Sequence, residues 1–418
     1  MRRLTVWQFS PWVLRCVLMC LVGLAMAAVS GATRTHADTP QGKVTEPSAP
    51  NAAGIYWQAF AAMPTLDEDS RRKLDAATGA ANAPLNDDVK PIVDQFGTAF
   101  HQLHRAAAVT PCDWQLDYDA GPYLLLPHLQ KARDLSRVAL LRARLRFAAG
   151  DHVAAVGDVL DTLKMGRDCG SSPILISYLV AIAIEKTACD VLAAHLPQLP
   201  ADQIDRVVGA IGKLPPTATI EACMQWEATY FGGWVERTVQ SEAAKISEPA
   251  DGLKLLTEVA RVAGLPDEFT AKVGDVEAER RIRILKTLTV DDVRASIKRL
   301  RADYESLVTI MKLDRRERAA RLEKLNAELE GVRKLTKRDD ALRYVSTMLL
   351  PTVARVGDRE QEVFVRRQLF AQAIQVQRQG PASVRPIDGQ PVEHHKTETG
   401  FELRCQVGAK TEIVSVGK

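Results

Sequence analysis

Apolar residues recur at intervals of three and four from Asn51 almost to residue 380, the spacing of helices that bury one face. NAAGIYWQAFAAMP opens on an asparagine suited to capping a helix and stops at Pro64. Asp87 to Val109 reads as the next helix, with Ile92, Phe96, Phe100 and Leu103 on one face and Pro91 in its first turns. A longer helix carries Leu129, Ala132, Leu135, Ala139, Ala143 and Phe147, and His152 to Arg167 is its partner beyond a Gly150-Asp151 turn. SPILISYLVAIAIEKTACDVLAAHLP is the most apolar of these segments. Its unbroken run, Ile174 to Ile184 apart from Ser177, is too short to span a bilayer, so it reads as a central core helix.

Ala201 to Leu214 and Ile220 to about Val239 follow, separated by Pro215-Pro216, and then Asp251 to Ala263 and Asp267 to Val273. Thr289-x-x-Asp292 is a capping box ahead of Val293, Ile297, Leu300, Tyr304, Leu307 and Met311. Leu322, Leu325, Leu329 and Val332 continue that stripe past the charged DRRER, which predicts an antiparallel hairpin rather than an extended coiled coil. Two more helices should end near Gln379. After Gly380-Pro381 the period becomes two. PVEHHKT, ETGFELRCQV and TEIVSVG read as short strands turning near Thr399-Gly400, with Val392, Phe401, Leu403, Val407, Ile413 and Val414 on one apolar face laid against the helices. The fold class is mainly α: an array of antiparallel helical hairpins, as an α-solenoid or an irregular bundle, with a small C-terminal β-hairpin or three-strand appendage. The Ala-rich pair around Gly150 resembles one tetratricopeptide hairpin, but no second copy of that repeat is found.

The first residues change what the charge means. Arg2, Arg3 and Arg15 precede the uncharged run from Cys16 to Val29, and Thr35-His36-Ala37 before Asp38 has the form of a signal peptidase site. Residues 1–37 therefore read as a cleaved export signal; left uncleaved, they would anchor the chain in a membrane. The expected location is the periplasm or cell envelope. Of 55 basic and 52 acidic residues, four arginines and no acid lie in that leader, leaving 51 basic residues against 52 acidic. A chain so balanced offers no electrostatic footprint for nucleic acid. Residues 38–50 form a flexible spacer, 51–245 an N-terminal helical domain, 246–380 a C-terminal helical region and 381–418 the β appendage.

Candidate chemistry is sparse. TPCDWQLDYDAGP (Thr110 to Pro122) gathers a cysteine, three aspartates and two aromatics in a Pro- and Gly-bounded break. Asp117 and Asp119 start like a calcium loop, but Gly121 and His128 fall where oxygen ligands belong. Three aspartates disfavour a Cys112 thiolate. The stretch reads as a packed corner, Trp114 and Tyr123 pointing inward and the aspartates capping helix ends. His101 and His104, at i and i+3, are half a metal site at most, and His394-His395 point to opposite sides of a strand. Cys112, Cys169, Cys189, Cys223 and Cys405 remain after the leader, with no CxxC; they read as small buried hydrophobes with at most one or two bridges of open pairing.

Glu185 interrupts the core helix and reads as one partner of an ion pair between helices. Glu221 and Glu227 sit beside Trp226, Tyr230, Phe231 and Trp234, an arrangement able to contact a sugar. Trp226, Tyr230 and Trp234 are the candidate ligand-binding residues, and Glu185 and Glu227 the weak catalytic candidates. No P-loop, GxSxG or dinucleotide fingerprint is present, and no cofactor is implied.

LHRAAAV-x-x-CDW (Leu103 to Trp114), GPYLLLPHLQKAR (Gly121 to Arg133), YLVAIAIE (Tyr178 to Glu185), LLPTVARV (Leu349 to Val356) and the closing RPIDGQPVEHHKTETGFELRC are similar to segments of exported, mostly helical planctomycete proteins. Pro386, Asp388, Gly389, Pro391, Gly400 and Phe401 match the closing turn and strand pair of that family, whose tyrosine-rich and terminal acidic elements are absent here. The resemblance implies location and shape; the family carries no assigned activity. The sequence thus describes an exported envelope scaffold or binding protein without evident catalysis, with a protein or an envelope polymer as partner. The alternative is an envelope glycan hydrolase using Glu185 or Glu227 as acid/base.

Overall fold

The computed structural model describes residues 50–79, 83–263, 276–334, 340–344, 353–408 and 410–417. The chain is mainly helical with a three-stranded antiparallel sheet at its C-terminal end. The expected signal, most of the spacer and the helix expected over 267–273 lie outside the described residues. Among the described residues no helix is long and apolar enough to cross a membrane.

The first helices are α1 (Ala52–Ala61), α2 (Glu68–Ala77), α3 (Lys90–Asp94) and α4 (Gly97–Ala107). Asn51 caps α1 as its sequence predicts, its side chain accepting from Ala53 N–H at 3.1 Å. Sequence reading missed α2, a charged helix that buries only Leu74 and Ala77 and so shows almost no stripe; Asp67 caps it by accepting from Ser70 N–H at 2.7 Å. The single helix expected over 87–109 is instead a 3₁₀ turn, α3 and α4, broken at Gln95–Phe96. The break coincides with Gly97, a poor helix former, and Val93, Phe96 and Phe100 are all buried around it.

Helices α5 (Pro127–Ala148) and α6 (His152–Cys169) pack along one another across a turn in which Gly150 adopts φ +79°, a left-handed conformation that glycine takes without strain. Helix α7 (Leu175–His195) then touches three apolar clusters. Its Ile184 joins the α1, α4 and α5 residues; Tyr178 and Ile182 join the core of the later helices; Ala188, Val191 and Leu192 join a cluster that reaches the sheet. The most apolar segment is central because three separate cores need one of its faces.

Next come α8 (Ala201–Gly212), α9 (Ile220–Glu227), a π-turn at Ala228–Gly232, α10 (Gly233–Ala243), α11 (Gly252–Val262), α12 (Val276–Leu285), α13 (Val290–Met311), α14 (Arg315–Arg333) and α15 (Val353–Gln379). The Thr289–Asp292 capping box is formed in both directions, at 2.9 and 3.1 Å. All six stripe residues of α13 are buried, as are Leu322 and Leu329 of α14.

Strands β1 (Val392–Lys396), β2 (Phe401–Val407) and β3 (Lys410–Val416) pair in order, with Leu403 opposite Val414 and Phe401 opposite Val416. The buried face is Phe401, Leu403, Cys405, Val407, Val414 and Val416, laid on α7 and α15. This corrects the expected face at Ile413, which is 37% exposed: neighbours on a strand point to opposite sides, so Ile413 and Val414 cannot both turn inward. The sheet backbone also reaches α7, Gly417 N–H donating to Ala193 O at 3.3 Å. Leu403→Ala is expected to cost about 2–5 kcal/mol of stability, and Ile413→Ser to stay within about 0.5 kcal/mol, both measurable by chemical unfolding.

Candidate functional site

The corner at Thr110 to Pro122 is built around Asp168 near the end of α6. Lys164 donates to both carboxylate oxygens at 2.7 and 2.6 Å, and Tyr56 donates its hydroxyl at 2.8 Å. Trp114 donates its indole N–H to the Asp168 carbonyl at 3.0 Å. Tyr56, Phe60 and His128 stack on the Trp114 ring, His128 at 4.3 Å. Burial lowers the His128 imidazole to about 4 and leaves its Nε2 unpartnered. Trp114 points inward as the sequence implied, but Tyr123 is 57% exposed and its hydroxyl donates to Val262 O. Pro122 and Gly121, the latter at φ +59°, turn the chain outward there. The aspartates cap no helix: Asp113 accepts from Gln115 N–H at 2.9 Å within the loop, and Asp117 and Asp119 lie exposed.

Glu185 is 8% exposed and both of its oxygens are engaged. Arg367 of α15 holds it bidentately at 2.5 and 2.7 Å, and Arg167 of α6 adds a bond at 3.2 Å. One turn along, Asp190 pairs with Arg366, which also reaches Glu412 of β3 at 2.8 Å, and Lys186 adds a bond to Asp190 at 3.0 Å. A carboxylate fixed by two guanidiniums is poorly placed to move protons.

Glu227 is the opposite case. It ends α9 against the π-turn, half-buried, and desolvation pushes its carboxyl up to about 7. The Leu175 N–H, in the opening turn of α7, acts the other way, and among the described residues no cation and no second carboxylate contributes. Glu221, the other acid of the segment, lies 3.6 Å from Lys312.

The aromatic residues that flank Glu227 in sequence meet two from the earlier loop. Trp226 stacks on Tyr230 with ring centroids 3.9 Å apart, and Tyr118 meets Trp226 edge-on at 4.2 Å. Trp234, a turn further along, meets Tyr123 edge-on at 6.3 Å. A Cβ on Gly121 would lie 2.5 Å from the Trp234 ring, so the loop closes on α10 only because that position is glycine. Sequence reading singled out Trp226, Tyr230 and Trp234 but missed Tyr118 and Tyr123. Their distance in sequence hid them, and the only sign was two tyrosines spaced like exposed loop residues. All but Tyr123 are half-buried, so the strip lies at the surface.

The remaining candidates are scattered. His101 and His104 are exposed, and His104 sits 2.8 Å from Asp161. No group of three or more His, Cys, Asp or Glu able to hold a metal occurs among the described residues. His395 pairs with Glu393, and His394 stacks on Phe401. Cys112 is half-buried; its thiol is pushed up by burial first and by Asp168 second. No family model, no curated protein and no solved structure matches the chain.

Glu185→Gln leaves Arg167 and Arg367 desolvated without a counter-charge and is expected to cost about 3–5 kcal/mol by chemical unfolding. Glu227 has the reverse linkage. Its folded pKa lies above the ordinary 4.5, so the folded state holds the proton more tightly. Stability falls as pH rises from about 4.5 to about 7, by an amount on the order of 3 kcal/mol. Glu227→Gln should flatten that segment of a stability–pH profile.

Proposed function

We propose that this is an exported cell-envelope protein whose helices stack as antiparallel hairpins into a non-catalytic binding scaffold. Its location and general shape follow the planctomycete likeness and the leader-like first residues. Its partner is an envelope glycan, held on the half-exposed strip of Tyr118, Trp226, Tyr230, Trp234 and Tyr123. The observation that carries this reading is the contrast between the two glutamates. Glu185 is consumed by two arginines, and among the described residues no second carboxylate acts on Glu227, whereas glycosidic cleavage commonly needs two acids about 5–10 Å apart. Aromatic faces at a surface offer the flat apolar contact on which the C–H faces of a sugar ring stack.

The hydrolase reading is favoured by one fact only: a carboxyl titrating near 7 suits a general acid. Co-sedimentation with insoluble envelope polysaccharide separates the two. Trp226→Ala and Tyr230→Ala are expected to weaken binding at least about tenfold with the circular dichroism spectrum retained. Glu227→Gln is expected to bind as wild type. Release of new reducing ends by wild type, abolished in Glu227→Gln, would establish the hydrolase instead.

A further inference from the structure

Cys112 and Cys169 stand apart from the other three cysteines. The segment carrying Cys112 is tied to the end of α6 on both sides of the thiol: Val109 O accepts from Lys164 Nζ at 3.2 Å, and Trp114 Nε1 donates to the carbonyl of Asp168, the residue before Cys169. Cys169 lies in the core of the same apolar cluster against which Cys112 packs. All five cysteines stand as free thiols in the structure. After burial, the Cys112 sulfur and then the Asp168 carboxylate push up the Cys169 thiol, and Asp168 pushes up Cys112 as well. Among the described residues no other cysteine acts on Cys189, Cys223 or Cys405: after burial, Cys189 and Cys223 are raised by carboxylates of their own helices and Cys405 by Asp388.

We propose that Cys112 and Cys169 are a covalent modification site, joined as a disulfide in the exported protein and locking the Trp114 corner onto the end of α6. This rests on the export reading, because disulfides persist in oxidising compartments. The co-reactant is a disulfide-carrying thiol oxidase. A thiolate of one cysteine attacks a sulfur of the oxidase disulfide, making a mixed disulfide and releasing one oxidase thiol. The second cysteine thiolate attacks the mixed disulfide, the Cys112–Cys169 bond forms and the second oxidase thiol leaves. The two protein thiols lose two electrons and two protons, which the oxidase gains. The exchange takes place while the chain folds, because Cys169 is wholly buried afterwards and both thiols are then hard to ionise.

The experiment expresses the full chain with its leader in a bacterial host, recovers the envelope fraction under acid quench, and alkylates it under denaturing conditions before and after reduction. The expected result is a leaderless protein with three free thiols, rising to five on reduction, and a linked peptide pair containing Cys112 and Cys169. Reductant should lower the melting temperature of wild type and of a Cys189/Cys223/Cys405→Ala triple variant, but not of Cys112→Ala/Cys169→Ala. A leaderless protein with five free thiols, or with another pair linked, overturns the cross-link. A chain found intact with its leader in the cytoplasm overturns the export reading beneath it.

Discussion

A buried carboxylate must be neutralised where it stands, and the arrangement around α7 turns on that constraint. Removing an ion from water costs several kcal/mol even after relaxation, and only close, well-directed counter-charges offset it. Glu185 and Asp190 sit on consecutive turns of α7, and Arg367 and Arg366, adjacent on α15, meet one each. Adjacent helical residues point about 100° apart, so α15 can satisfy both acids in only one rotation and one axial position. Arg366 also reaches Glu412, which carries the same constraint into the sheet. Apolar contact alone tolerates sliding; two fixed charge pairs do not. The pairs therefore set the register that the greasy faces of α7, α15 and the sheet would otherwise leave loose.

What the sequence made legible follows from this distinction. The α13 stripe, its capping box and the Asn51 cap are written within a few residues of where they act, and all are present. Glu185 was readable as one half of an ion pair because a lone acid in an apolar run has no cheaper explanation. Its main partner lies 182 residues away, in a helix with many arginines, and nothing local distinguishes Arg367 from the rest. The misses have equally physical causes. Helix α2 is held by a cap and by two buried residues, too few to form a stripe. Ile413 was placed inward on hydrophobicity alone, although the two-residue period of a strand had already assigned that side to Val414.

The candidate site was half legible for the same reason. Trp226, Tyr230 and Trp234 share one segment and one helical face, so their grouping is local. Tyr118 and Tyr123 arrive on a loop more than 100 residues earlier in the chain, admitted by the missing side chain of Gly121. The stretch from Thr110 to Pro122, expected as one packed corner, thus divides in two. Its Trp114 half is consumed in the core around Asp168, and its Tyr118–Tyr123 half completes a surface strip on the π-turn. Such turns interrupt regular hydrogen bonding and are common where a helix serves something other than packing.

Helix α7 connects these parts and explains why they differ in chemistry. Its later turns carry Glu185 and Asp190, whose charges are balanced by four cations from three helices, so that region cannot change its ionisation without losing register. Its first turn meets Glu227, which accepts the Leu175 backbone N–H and follows Trp226 of the stacked Trp226–Tyr230 pair in sequence. A ligand stacking on the rings at the first end would leave the Glu185 and Asp190 pairs in place. One entering at the other end would have to displace them. The proposed binding at the aromatic strip would therefore be compatible with the fixed charge pairs of α7, because the two fall on different turns of it.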